Sequence, residues 1–183
     1  MSLGNMKLEW VDSIKYLGIS FSAGSVLRVN TCYIRRKFYM ACNGILSYCR
    51  SVNEFVKLGL VRAFCLPLLT YCVGALDLTV SCTKDLAVCW NDSFWKIFGY
   101  RRYESVKLLQ YYCSELPFEY MCDLQKWKYL SITSAVPARV AILYHFKRHT
   151  VYSMSSKYGF NNCAAGMKCA VFNYFASVLF RDK

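Results

Sequence analysis

The chain has 183 residues, enough to bury a sizeable core and few enough for one domain or one domain with an ordered extension. At 56% hydrophobic, 17% aromatic and only 19% charged residues, with a mean hydropathy of +0.22, it is more apolar than an ordinary soluble domain, which argues against disorder over most of its length. The net charge of +12 gathers at the two ends: residues 1–60 carry eight basic and three acidic side chains, residues 61–130 eight and seven, and residues 131–183 seven and one. Such an excess favours an anionic partner, nucleic acid first and acidic lipid second.

Residues 6–21 alternate as an antiparallel hairpin does, with Met6, Leu8 and Trp10 before an expected turn at Asp12-Ser13, and Ile14, Tyr16 and Leu17-Gly18-Ile19-Ser20-Phe21 after it. A break at 22–25 follows. From Val29 to about Ser51 the period becomes helical, with Ile34, Phe38, Ala41, Cys42, Ile45 and Cys49 on one stripe and Arg36, Tyr39, Asn43 and Arg50 opposite. Asn53 caps the next helix, which Pro67 interrupts or kinks before an apolar continuation from Leu68 to Leu78. A third helix is marked by Thr83 as cap, a stripe of Leu86, Trp90, Phe94 and Ile97, and Gly99 at its C-terminal end. A fourth begins near Pro117 on Tyr120, Leu124, Trp127 and Leu130, and Pro137 closes it or opens another running to about His149. The stretch 150–166 is rich in Ser, Asn, Tyr and Gly and is expected as a linker before an apolar C-terminal helix.

The uncharged run from Ala63 to Leu76 is shorter than the roughly 20 residues a spanning helix needs, and it contains Pro67, so a buried helix is expected and no membrane partner. Eleven cysteines form an odd, irregularly spaced set, and Met1 to Trp10 lacks the apolar core of a secretion signal. Reduced thiols in an intracellular protein, cytoplasmic or nuclear, are therefore expected.

Signatures of catalysis are missing: there is no phosphate-cradling glycine loop, no Gly-x-Ser-x-Gly and no adjacent aspartate pair, the six aspartates being Asp12, Asp77, Asp85, Asp92, Asp123 and Asp182. His145 and His149, four apart, could be drawn into a zinc site with Cys163 and Cys169. The order and spacing fit no common finger, so a basic helix end is expected, with no metal and no cofactor.

The segment Leu8-Glu9-Trp10-Val11-Asp12-Ser13-Ile14-Lys15-Tyr16-Leu17-Gly18-Ile19 resembles the region just after the palm in LINE-type (non-LTR) retrotransposon reverse transcriptases, where a Tyr-Leu-Gly hairpin forms the primer grip. It is followed in the family's order by Arg36-Lys37-Phe38-Tyr39, Asn43-Gly44-Ile45-Leu46, Leu66-Pro67-Leu68-Leu69-Thr70-Tyr71, Trp90-Asn91, Lys96-Ile97-Phe98-Gly99-Tyr100, Glu104-Ser105-Val106 and Leu116-Pro117-Phe118. Trp95 stands where many relatives have arginine, and Tyr103 where tryptophan is common.

The resemblance implies a mainly α thumb-like bundle with a short N-terminal antiparallel hairpin, divided into a primer-grip-like hairpin (1–25), a helical thumb and post-thumb region (26–149), and a linker with an apolar helix (150–183). It implies no catalytic residue in this chain, since the palm and its metal-binding aspartates lie N-terminal to the primer grip in the family. The divalent metal belongs to the parent enzyme. The expected partners are an RNA template with its DNA primer, and the parent's palm domain. Tyr16, Leu17 and Gly18 are the primer-grip-like residues, and Lys15, Arg35, Arg36, Tyr39, Asn43 and Arg50 are candidates for contact with nucleic acid. The alternative is a membrane-associated or protein-interaction module that uses the apolar surplus.

Overall fold

The computed structural model describes residues 2–3, 6–7, 9–24, 28–71, 73–134, 150, 152–159 and 166–181. They form a mainly helical chain with a small antiparallel sheet at its start. After the minimal pair β1 (Ser2–Leu3) and β2 (Met6–Lys7), a three-stranded sheet is built in chain order from β3 (Ser13–Tyr16), β4 (Ile19–Ser22) and β5 (Arg28–Asn30). The expected turn at Asp12-Ser13 is corrected. The reversal lies at Leu17-Gly18, both with positive φ (46° and 80°), the two-residue geometry whose twist matches that of the strands it joins. This register sets Ile14 opposite Phe21 and Tyr16 opposite Ile19, so the apolar side chains share one face, while Lys15 and Ser20 share the other. Asp12 instead closes the open end of the hairpin, its carbonyl accepting from the Ala23 amide at 2.7 Å. The third strand, β5, lies beyond the alternating segment and adds Val29 beside Phe21 on the apolar face.

The helices are α1 (Cys32–Tyr48), α2 (Glu54–Phe64), α3 (Leu66–Thr70), α4 (Val80–Phe98), α5 (Lys107–Tyr112), α6 (Phe118–Ser134), a short α7 at 152–158, and α8 (Met167–Arg181). Asn53 caps α2 as expected, its side chain accepting from the Phe55 amide at 2.8 Å. Pro67 falls in the first turn of α3, where its missing N–H costs nothing, and separates α3 from α2. The apolar continuation after it stops at Thr70, and 73–79 is not helical. The cap of α4 is Thr79, one turn before the expected Thr83. Thr79 Oγ1 accepts from the Cys82 amide at 3.2 Å, and Thr83 bonds back to the Thr79 carbonyl. Gly99 ends α4 in the left-handed conformation (φ 70°).

Helix α4 is the centre of the core. Leu86, Ala87, Cys89, Trp90, Ser93, Phe94 and Ile97 are buried along it, a stripe wide enough to meet α1, α2 and α6 at once. The Trp90 indole N–H donates to the Leu116 carbonyl at 3.1 Å, which fixes the α5–α6 connection against α4. Beside it, the buried Gln110 donates through Nε2 to Asn91 Oδ1 at 3.0 Å. The same core takes in Met154 and Tyr158 of α7 and Met167, Val171 and Phe175 of α8. The region expected as a linker thus contains a helix, because Tyr158 is buried and donates its hydroxyl to Asp123 while Lys157 pairs with the same carboxylate at 2.8 Å. The expected helix from Pro137 to His149, with the His145 and His149 pair and Cys163, lies outside the described residues. No helix among the described residues is long and apolar enough to cross a membrane. The nine described cysteines are free thiols.

Two features of the packing set measurable outcomes. The backbone at Gly74 lies so close to α6 that a Cβ there would sit 2.6 Å from the Gln125 carbonyl oxygen and 2.9 Å from Tyr129 Cβ, whereas Gly44 inside α1 has nothing within 4 Å. Gly74→Ala should therefore cost about 1–3 kcal/mol by overpacking. Gly44→Ala should instead stabilise by about 0.5–1 kcal/mol, both read from urea midpoints. Glu115 is buried, and burial raises its carboxyl above the ordinary range even though Arg62 pairs with it at 3.0 Å. A carboxyl raised on folding contributes stability below its unfolded pKa and loses it as pH rises through the folded one. Glu115→Gln should therefore gain stability relative to wild type as pH rises above the ordinary glutamate pKa of about 4.3.

Candidate nucleic-acid interface

The sheet and the first turns of α1 meet at a cluster of cations around one aromatic ring. Tyr33 sits between two ammonium groups, Lys15 Nζ of β3 at 4.5 Å from the ring centroid and Lys37 Nζ of α1 at 4.6 Å. Lys37 comes from the same helix four residues on, which is one turn away on the same side. Lys15 comes from the polar face of the hairpin. The two ammonium groups, Lys37 first and then Lys15, hold the Tyr33 phenol below its ordinary value, the signature of a site where positive charge is in excess. Arg36 and Met40 continue the exposed side of α1, Met40 with 70% of its surface open, and Arg36 forms no ion pair among the described residues.

The other expected residues divide between this face and the seam with α4. Arg50 is exposed just past the end of α1. Arg35 turns toward α4, where it pairs with Asp85 at 3.8 Å and its Nε is buried. Tyr39 packs on the core and lies under Lys96 Nζ, 5.0 Å from its ring centroid, and burial pushes its phenol up. Asn43 is exposed, but its Oδ1 accepts from the same Lys96 at 3.2 Å, and Lys96 also pairs with Asp92 at 3.0 Å. The pairings Arg35 with Asp85 and Asn43 with Lys96 run in the same direction along both helices, so α1 and α4 are parallel. Arg35, Tyr39 and Asn43 thus hold the helix pair together, and the open cationic face is made by Lys15, Tyr33, Arg36 and Lys37.

Sequence reasoning misses Tyr33 and Lys37. Their signal is the spacing of four from a tyrosine to a lysine at a helix start, but it becomes a site only when the hairpin adds Lys15 from 18 positions upstream of Tyr33. The primer-grip-like residues stand at the tip of the same hairpin, Tyr16 with 64% and Leu17 with 67% of their surfaces exposed. Elsewhere, a cleft of about 760 Å³ opens among Arg62, Leu66, Glu115, Leu116, Trp127 and Met167, and none of the expected site residues lines it. Among the described residues no group of three or more His, Cys, Asp or Glu side chains is placed to hold a metal ion.

No family model, no curated protein and no solved structure matches the chain.

Leu17 holds a left-handed backbone (φ 46°) that an L residue with a branched side chain adopts at a cost of about 1–2 kcal/mol, and that asparagine adopts more readily. Leu17→Asn should thus keep the turn and raise the unfolding free energy by about 0.5–1 kcal/mol, measured by urea denaturation. A loss of stability would mean that the exposed leucine side chain packs in a way its exposure does not indicate.

Proposed function

We propose that this chain is the thumb-like, template-primer-holding part of a LINE-type reverse transcriptase, a module that grips an RNA–DNA duplex by its backbone and does not itself carry the polymerisation chemistry. The observation that carries this reading is the meeting of Lys15 from the hairpin with Tyr33, Arg36 and Lys37 of α1 on one exposed face. A duplex of arbitrary sequence offers phosphates and shape, and cations on a preformed helix face suit both. A mainly helical body behind an N-terminal antiparallel sheet agrees with the motif order Tyr16-Leu17-Gly18, Leu66-Pro67-Leu68 and Leu116-Pro117-Phe118.

Polymerisation needs metal-bound carboxylates at the primer end, and the six scattered aspartates of this chain include no adjacent pair. In the parent enzyme a palm domain would supply them. The apolar face of the hairpin is the natural seat for such a domain, since Ile14 and Tyr16 on it, and Trp10 and Val11 before it, are all more than half exposed. That same exposure favours the second reading, a protein-interaction module, in which the hairpin docks a partner without any nucleic acid.

Titration of a labelled RNA–DNA hybrid at several salt concentrations tests the proposal. The wild-type chain should bind, and the triple variant Lys15→Glu, Arg36→Glu, Lys37→Glu should bind more weakly for every sequence tried. The slope of log affinity against log salt should become shallower by about 0.9 for each phosphate that the variant no longer neutralises. Arg35 is left unchanged because its pairing with Asp85 would confound the result. Equal binding by the two proteins, or none by either, would remove the nucleic-acid reading. Primer extension should be absent throughout.

A further inference from the structure

At the end of α4, the four residues Tyr100, Arg101, Arg102 and Tyr103 are all exposed, Tyr103 with 98% of its surface open. Two exposed rings and two exposed guanidinium groups in four consecutive residues combine stacking surface with positive charge in one small patch. The backbone beneath them is firmly built. Gly99 in the left-handed conformation turns the chain out of α4, the Glu104 amide donates to the Arg101 carbonyl at 2.9 Å, and the Arg101 amide donates to Glu104 Oε2 at 3.1 Å. The Trp95 indole N–H ties the loop down to α4 by donating to the Glu104 carbonyl at 3.0 Å.

Glu104 Oε2 accepts from the Arg101 amide, and neither Arg101 nor Arg102 forms an ion pair among the described residues. The loop thus presents two rings and two guanidinium groups on a preformed turn, with the ordering cost met before any ligand arrives. Rings take the open face of a base, and guanidinium groups take phosphates or stack in turn. A duplex hides its base faces and a single strand offers them.

We propose that the loop from Gly99 to Glu104 binds a single-stranded stretch of nucleic acid through stacking on Tyr100 and Tyr103 and phosphate contacts from Arg101 and Arg102. The inference rests on the reading of this chain as a template-primer module and adds a second contact to it. Because α1 and α4 are parallel, the loop lies at the end of the bundle where α1 finishes, with Tyr48 and Arg50 exposed there. The Lys15–Tyr33–Lys37 cluster lies at the other end, a helix length of about 25 Å away for the 17 residues of α1. One strand of a substrate held at the cluster can run along the helix to the loop once it is unpaired.

Fluorescence anisotropy with labelled single-stranded oligouridine and oligothymidine of about twelve nucleotides, alongside the RNA–DNA hybrid, tests this on the full chain. Tyr100→Ala with Tyr103→Ala should weaken single-strand binding by about thirtyfold or more and leave hybrid affinity within about twofold. Both rings are exposed, and circular dichroism checks that the fold is kept. The two oligonucleotides separate an RNA from a DNA strand as the natural occupant. If the double variant binds single strands as wild type does, or wild type binds no single strand, the loop proposal is overturned, and the duplex reading then stands or falls on hybrid binding alone. If single strands bind and the tyrosine variant loses them, although no hybrid binds, the loop site stands and the duplex reading falls.

Discussion

The hydrogen bond from Trp90 to the Leu116 carbonyl is the contact around which the bundle is arranged. Trp90 is fully enclosed on the central helix, and a buried indole needs an acceptor or its desolvation goes uncompensated. The acceptor it finds is the connection between α5 and α6, so one side chain sets both the depth of α4 and the entry of α6. Phe94 lies edge-on to Trp90 with ring centroids 5.1 Å apart, and Phe98 stacks on Phe94 one turn later, extending the same aromatic spine toward Phe55 of α2. Around this spine, helices that share little sequence pattern are brought to fixed positions.

The cationic face follows from that placement. With α4 fixed, Lys96 reaches across to Asn43 and Tyr39, and Arg35 is drawn to Asp85, contacts that favour one rotation of α1 over others. The rotation decides which cations are committed to the fold and which face outward. Arg35 and Lys96 are committed; Arg36 and Lys37 are not. The sheet then adds Lys15 over Tyr33, and the ring keeps two like charges within reach of each other by offering both its π electrons.

Much of this is legible in the residues and some is not. The stripe carrying Phe38 and Cys42, the Asn53 cap and the Gly99 terminus all state their roles through spacing and local chemistry. Alternation reveals the hairpin but misplaces its turn, because Asp12-Ser13 is a commoner turn pair than Leu17-Gly18, and only the pairing of Ile14 with Phe21 decides between them. Thr79 and Thr83 could each cap α4, and the choice depends on where the chain arrives from α3. The helix at 152–158 carries a polar, weakly helical composition and forms because Tyr158 and Lys157 share Asp123, a contact 34 and 35 residues distant in sequence. In the candidate site, the amphipathic period places Tyr39 outside, although a tyrosine can bury its ring in a seam and be held there by a cation. Two packed neighbours, α2 with α3 on one side and α4 on the other, narrow the exposed arc more than a single stripe suggests.

The sheet bears on dynamics as well as on contact. In the three-stranded sheet only Ile19 is buried, so little apolar surface ties it to the bundle, and it belongs to the part of the molecule that opens at low free energy while α4 opens only with global unfolding. Lys15 rides on that weak unit and Lys37 on the strong one. A polyanion gripped by both is bound to two units of unequal stability, and part of its binding free energy goes into suppressing the motion of the sheet. Amide hydrogen exchange in Ser13–Tyr16 and Ile19–Ser22 would therefore slow on binding far more than exchange in the helix that supplies most of the contacts, and occupancy of the face would be recorded as rigidity of the hairpin.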